Sequence, residues 1–232
     1  YVRLMIEFLN WSIVGSVRCV LLTTLSQRKG SIVHTTGGMG GVAVQTLAEY
    51  SHEDGTRRLI ACGNGNIYNC TTLNANGTSL ASGFSQNRWQ TINFRNRLIL
   101  VNGTDQPKQY DGSTVSDATY TGISNDNKQV QVSSYKSRLY FCELDSASIW
   151  YGGVDAVTGA LTEFDVSSLL KLGGRVEFAG SYSRDSGEAN SDDMFVIVSN
   201  MGEMLIYYGD NPEASNWALA GRYNMPVPLG RR

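Results

Sequence analysis

Much of what usually announces chemistry is missing from this sequence. Its 232 residues include two histidines, His34 and His52, and four cysteines, Cys19, Cys62, Cys70 and Cys142, with no Cys-x-x-Cys pair among them. A structural zinc site needs Cys and His at close ligand spacing, so none is expected. Gly37 to Gly41 is a glycine-rich loop. It has neither the G-x-G-x-x-G nor the G-x-x-x-x-G-K spacing, so phosphate binding is not expected there. Ser181, Ser183 and Ser186 lack a G-x-S-x-G frame, and the two histidines stand apart from any acidic partner that would complete a triad. No dense Lys/Arg run occurs and the formal net charge is −2, so nothing marks a whole-surface attraction to duplex DNA, although a local basic face stays open.

An unbroken apolar run is absent as well. Tyr1 to Leu25 is apolar in bulk but interrupted by Arg3, Glu7 and Arg18. A membrane span wants about 20 apolar residues without an internal Arg, and a secretory signal wants a basic start, an apolar centre and a small-residue cleavage site. Residues 1–28 therefore read as an irregular apolar leader. A targeting segment and a start that is not the natural one are the alternatives, since no Met stands at position 1.

Charged residues make up only 17% of the chain, against 25 glycines and 12 tyrosines. That balance suits many short strands joined by tight turns, and helix should be scarce. The strands announce themselves as a pattern that comes round four times. Arg58 to Cys62 turns at Gly63 to Asn66 and returns as Ile67 to Cys70; Arg97 to Val101 turns at Asn102 to Asp105 and returns through Gln109-Tyr110-Asp111-Gly112. Arg138 to Cys142 is followed by Ile149-Trp150-Tyr151-Gly152, and Met194 to Val198 by Met204 to Gly209. The first three copies start roughly 40 residues apart, a period of propeller blades and similar arrays. Alone, a hairpin has one apolar face and nothing to bury it against; repetition supplies the neighbour.

The expected fold is all-β: repeated hairpins, centred near Gly65, Gly103, Asp145 and Gly202, forming a β-propeller or part of one over residues 29–232. Leu98, Leu139 and Ile197 should be buried. Cys62 and Cys70 flank one hairpin without standing opposite each other, so free buried thiols are expected rather than a disulfide. Leu161 to Lys171 reads as a short helix or extended arm in an insertion that breaks the period. Phe164, Leu169 and Leu170 in it have no repeat of their own and are candidates for an interface patch, or else fold back on their own blade. The chain's end, Pro226 to Arg232, is the other candidate for lateral contacts. Asp185, Glu188, Asp192 and Asp193 crowd together; they could hold Ca²⁺ or form an acid/base pair, but lack the EF-hand order and sit among Gly187 and Asn190 as a solvated loop would. Trp89, Trp150 and Trp217 suit either core wedges between sheets or a carbohydrate-stacking platform. No catalytic constellation, cofactor or metal is expected.

Ser82-Gly83-Phe84 with Arg88-Trp89-Gln90 and Asn93-Phe94, Val101 to Pro107 with Tyr110-Asp111-Gly112, and Lys136 to Phe141 form the first half of an ordered series. Asp192-Asp193, Gly202-Glu203, Tyr207 to Pro212, Trp217 and Pro228 to Arg232 complete it. In this order and company they resemble the tail-accessory proteins of short-tailed bacteriophages, of the packaged-DNA stabilisation or tail-nozzle type built around a β-propeller. The resemblance runs from about Lys29 to the end, where the family's sequence would continue. It implies a virion protein of the head-tail connector, assembled in the host cytoplasm as a homo-oligomeric ring against the portal or other tail proteins. Packaged double-stranded DNA would pass through as channel content, with no membrane in the mature assembly. A non-viral propeller scaffold or ligand-binding protein and a propeller glycoside hydrolase, which would need two carboxylates facing one cleft, are the alternatives.

Overall fold

The computed structural model describes residues 34–41, 43–184 and 192–230. The chain divides into two compact units, residues 1–34 and 35–232. The leader expected over residues 1–28 lies outside the described residues, and the β structure belongs to the second unit.

That unit opens with β1 (Thr35–Gly37), paired in parallel with the short β5 (Ala75–Asn76). Four antiparallel meanders then follow in chain order. The first sheet is β2 (Thr46–Ser51), β3 (Arg57–Gly63), β4 (Asn66–Asn69) and β6 (Thr78–Ser82). The second is β7 (Gln90–Phe94), β8 (Arg97–Val101), β9 (Lys108–Tyr110) and β10 (Val115–Asp117). In the third, β12 (Gln129–Tyr135), β13 (Arg138–Glu143), β14 (Ser148–Gly152) and β15 (Gly159–Asp165) are joined at the edge by a short parallel β11 (Tyr120–Thr121). The fourth comprises β16 (Val176–Arg184), β17 (Asp192–Ser199), β18 (Glu203–Tyr208) and β19 (Ala218–Asn224). Among the described residues, helix is confined to single 3₁₀ turns at Asp126–Lys128 and Ser167–Leu169.

The expected hairpins are the junctions of second and third strands in each sheet. Asn64 and Gly65, at φ 53° and 68°, make the β3–β4 turn left-handed, as a two-residue hairpin requires. The turns between first and second strands use less obvious residues. Arg95 and Asn96 lie at φ 46° and 59°, and Lys136 and Ser137 at 45° and 58°. Neither Arg nor Lys favours that region, so these two turns gave no composition signal.

Leu161 to Lys171 is not a helix. Its first half is β15, paired with β14 from Leu161↔Gly152 to Asp165↔Ser148, and only Ser167–Leu169 turns. Backbone partners along β14 hold the segment extended, and what looked like an insertion is the outer strand of the third sheet.

Strand alternation sends side chains to two faces, and the second and third sheets bury both against their neighbours. Ala48, Tyr50, Ile60, Cys62 and Ile67 of the first sheet meet Leu98, Leu100 and Tyr110 of the second, with Trp89 between them. From the second sheet's other face, Phe94, Ile99 and Val101 meet Leu139, Phe141, Trp150 and Leu161 of the third. Tyr135, Tyr140, Ile149 and Tyr151 then meet Phe195, Ile197, Leu205 and Tyr207 of the fourth. Leu98, Leu139 and Ile197 are buried, as expected. Each is the kind of residue whose truncation to Ala costs roughly 2 to 5 kcal/mol.

Candidate functional site

The first strands β2, β7, β12 and β16 are each an edge of their sheet, and consecutive ones lie close together. Edge strands present unpaired backbone groups. Side-chain amides take up some of them here. From β7, Asn93 donates Nδ2–H to the Glu49 carbonyl of β2 at 2.7 Å and accepts the Ser51 N–H at 3.0 Å. In β12, Gln131 does the same toward β16, donating to the Ala179 carbonyl at 2.9 Å and accepting its N–H at 3.3 Å. An amide side chain thus completes a peptide-like pair across each of these two junctions. Between the first and second sheets, Thr46 Oγ1 adds a donation to the Asn87 carbonyl (2.8 Å) and accepts the Trp89 N–H (2.8 Å).

These four strands carry one basic residue, Arg184, and two acidic ones, Glu49 and Glu177. Positive charge stands instead at the ends of the strands: Arg57, Arg58, Arg95, Arg97, Lys136 and Arg138. Among the described residues, shallow clefts run along that rim. One, of about 350 Å³, is bounded by Arg95, Lys136, Ser134, Ser137, Ser181, Ser183 and Asp193. It adjoins a cleft of about 440 Å³ beside His52 and Glu53 and another of about 380 Å³ between Lys136, Tyr208 and Asn216.

Arg95 and Lys136 on the rim are already engaged. Arg95 binds Asp155, with Nε to Oδ1 at 2.8 Å, and its guanidinium lies over the Phe94 ring at 5.8 Å. Lys136 lies over the Tyr135 ring at 5.7 Å and 3.4 Å from Asp193 Oδ2. Both pairs are about half exposed and add little to stability; their effect is to fix the two strained turns. Burial, helped by Asp193 and Asp210, pushes the Tyr135 phenol up to about 12. Burial likewise raises Tyr50. Both hydroxyls therefore act as donors at neutral pH.

The residues singled out in the sequence are scattered. Phe164 is half-buried and meets Tyr207 and Trp217 edge-on at 5.5 and 6.0 Å; Leu169 packs beside it and Leu170 is buried in the same cluster. All three thus pack at the junction of the third and fourth sheets. Pro226 to Gly230 passes the β17–β18 turn, where the Met225 N–H reaches the Gly202 carbonyl, and leaves Val227 and Leu229 exposed. Asp185 and Glu188 lie outside the described residues. Asp193 accepts the Ser183 hydroxyl at 2.7 Å and faces Lys136. Among the described residues, no group of three or more His, Cys, Asp and Glu side chains is placed to hold a metal ion. His52 does have an acidic neighbour, contrary to expectation: Asp54 Oδ1 lies 3.0 Å from its Nδ1 across the tight β2–β3 turn. Trp89 and Trp150 are core wedges, and Trp217 stacks on Tyr207 at 5.0 Å. Cys62, Cys70 and Cys142 are buried, and burial pushes the Cys62 thiol up to about 12.

The sequence reading missed the two amide locks and the two strained basic turns. Asn93 and Gln131 sit in strands with nothing local to distinguish them from surface polar residues.

No family model and no curated protein matches the sequence. Among solved structures, the chain is similar to BBS1N in the crystal structure of its complex with ARL6DN, at a TM-score of 0.52 and 8% identity over 82% of this chain and 57% of that one. The N-terminal domain of Nup159 matches at a TM-score of 0.36 and 11% identity, over 76% of this chain and 64% of that domain. The chain thus spans a little over half the length of the first. That likeness shows the fold alone: the four consecutive meanders are blades of a β-propeller, as the repeats in the sequence implied.

Proposed function

We propose that this propeller is a structural part of a bacteriophage virion, of the tail-accessory kind its sequence resembles, which helps retain packaged DNA and lets it pass at ejection. One observation carries the reading beyond the resemblance. The gathered first strands hold two carboxylates and a single arginine, whereas Arg95 and Lys136 on the rim are tied to Asp155, Asp193 and aromatic rings. Phosphate contacts come chiefly from Lys and Arg. A neutral-to-acidic line of strands is the surface along which a duplex slides without being held. The alternative, a propeller scaffold outside any virion, shares the architecture and differs in where the protein resides.

Mass spectrometry of DNA-filled particles purified from the source culture tests this. Peptides of this chain should be present at stoichiometric level and absent from tail-less heads. Their absence from particles, with the protein recovered only from the soluble fraction, would overturn the virion assignment and leave the scaffold.

A further inference from the structure

The repeat makes the junctions between sheets comparable position by position. Midway along the first sheet Ala48 stands opposite Ile60, and at the same level of the second Ile92 stands opposite Ile99. Those pairs are aliphatic. At this level the third sheet carries a hydroxyl in every strand, with Ser133, Tyr140, Tyr151 and Thr162 opposite one another in turn from β12 to β15. Residues paired this way share a face, here the face on which Tyr140 and Tyr151 meet the fourth sheet. Tyr140 is fully buried and Tyr151 is 2% exposed, yet neither hydroxyl has a hydrogen-bond partner among the described residues, and neither does the buried Ser133 Oγ. Trp217 Nε1, on a ring packed against the same cluster, is a fourth such atom. Buried polar atoms without partners are costly and rare. Four at one junction call for a polar occupant.

The rings of Tyr140 and Tyr151 stack with centroids 5.6 Å apart and planes 22° apart. Near-parallel rings rising side by side from one face hold their hydroxyls at about the ring spacing. That is too far for a direct bond and about two O–H···O lengths of ~2.8 Å, the span of one intervening water. Burial raises both phenols, so each stays neutral and can donate as well as accept. Glu213 adds to the rise of Tyr151 at the outer edge without reaching hydrogen-bond geometry to it. The four hydroxyls carry no charge that would hold an ion. We propose that this level of the third junction is a hydration site, in which one ordered water bridges the Tyr140 and Tyr151 hydroxyls. Ser133 Oγ and the Trp217 N–H are the groups of the junction left to complete its coordination, since an internal water makes about three hydrogen bonds. The third and fourth sheets thus meet through a wet seam where the first two junctions use aliphatic side chains. This holds whether or not the protein belongs to a virion.

A high-resolution crystal structure of the full chain, together with denaturant unfolding of Tyr140→Phe, Tyr151→Phe and the double variant, tests this. Phe keeps each ring and its packing, so the fold is retained. A water should stand within about 3.2 Å of both hydroxyls. Each single variant should lower the equilibrium constant for folding roughly three- to tenfold. The double variant should lose less than the product of the two, because both act on one molecule. A dry junction gives the opposite sign, since removing a hydroxyl that has no partner leaves stability unchanged or raises it. That outcome overturns the proposal. So do losses that multiply independently, or a crystal structure with no water between the two hydroxyls.

Discussion

Tyr50 and Tyr135, 85 positions apart in sequence, make the same two hydrogen bonds in successive parts of the repeat. Tyr50 donates to the carbonyls of Asp111 (2.8 Å) and Asn96 (3.3 Å) in the second sheet, and Tyr135 to those of Gly209 (2.7 Å) and Asp193 (2.9 Å) in the fourth. In both cases one carbonyl follows the third strand and the other belongs to the region where the first two strands meet. The hydroxyl pins both ends of the neighbouring sheet to the wedge. Phe94, the equivalent residue between them, seals its junction by packing alone.

Removing the hydroxyl should therefore weaken one junction without opening a cavity. Tyr135→Phe is expected to lower stability by about 1 to 2 kcal/mol, from two buried carbonyls losing their donor. It also changes the alkaline limb. A phenol raised in the folded state contributes stability that is complete below its unfolded pKa near 10 and is lost as pH rises through about 12. Urea titrations at several alkaline pH values should show a shallower decline in the variant than in the parent.

Gly209 has to be glycine for a reason besides its turn. At φ +111° it occupies a region that L-residues avoid, and an added Cβ would fall 2.5 Å from the Asn216 carbonyl oxygen. Its own carbonyl receives Tyr135. Gly209→Ala should cost at least about 2 kcal/mol and loosen the third junction. Denaturant midpoints for Gly209→Ala alone and with Tyr135→Phe should show less than additive losses.

The segment after β15 is held inward by Glu203. This buried carboxylate accepts the N–H groups of Lys171 at 3.0 Å and Leu172 at 2.6 Å. Leu170→Asp would place a charge in the same cluster and should unfold the chain or cost about 3 kcal/mol or more. Glu203→Gln keeps one acceptor oxygen and should cost about 1 to 2 kcal/mol. Limited proteolysis should nick both variants near residues 171–174 before the parent.

Acid stability should depend on Asp105. Burial pushes its carboxyl up, but the N–H groups of Ser85 and Gln86 and the Asn102 amide outweigh it, so the group sits below the ordinary carboxylate range. A depressed folded pKa contributes stability that is present above the unfolded value near 3.8 and is lost as pH falls through the folded one. Asp105→Asn should flatten the fall of the melting temperature below about pH 4 and lower stability at neutral pH. A variant with the parent's acid limb would show that the turn gains nothing from the charge.

The second and third strands of every sheet were legible because their composition changes abruptly at the turn. Leu98-Ile99-Leu100-Val101 ends at Asn102-Gly103, and Phe195 to Val198 ends at Asn200 to Gly202. Apart from β2, foreshadowed by the strand-like stretch Val42 to Glu49, the first and fourth strands were not legible. β7, Gln90-Thr91-Ile92-Asn93-Phe94, alternates polar and apolar residues, but its turn is Arg95-Asn96, whose left-handed backbone is imposed by pairing and not by residue preference. Phe164 and Leu170 misled for a related reason. Spacing suggested an independent segment, while register with β14 holds its first half in the third sheet and the Glu203 carboxylate, distant in sequence on the fourth sheet, takes up the N–H groups that follow.

The meander order of the sheets also governs how the chain is made. The antiparallel strands of each meander are neighbours or near-neighbours in sequence, so most of a sheet's hydrogen bonds close over short loops, which lowers the entropy that each pairing must offset. The first sheet is complete in sequence by Ser82, before any residue of the second sheet's strands has been synthesised. During translation a finished sheet thus offers an apolar face to the next one, and the amide locks of Asn93 and Gln131 can fasten the second sheet to the first and the fourth to the third.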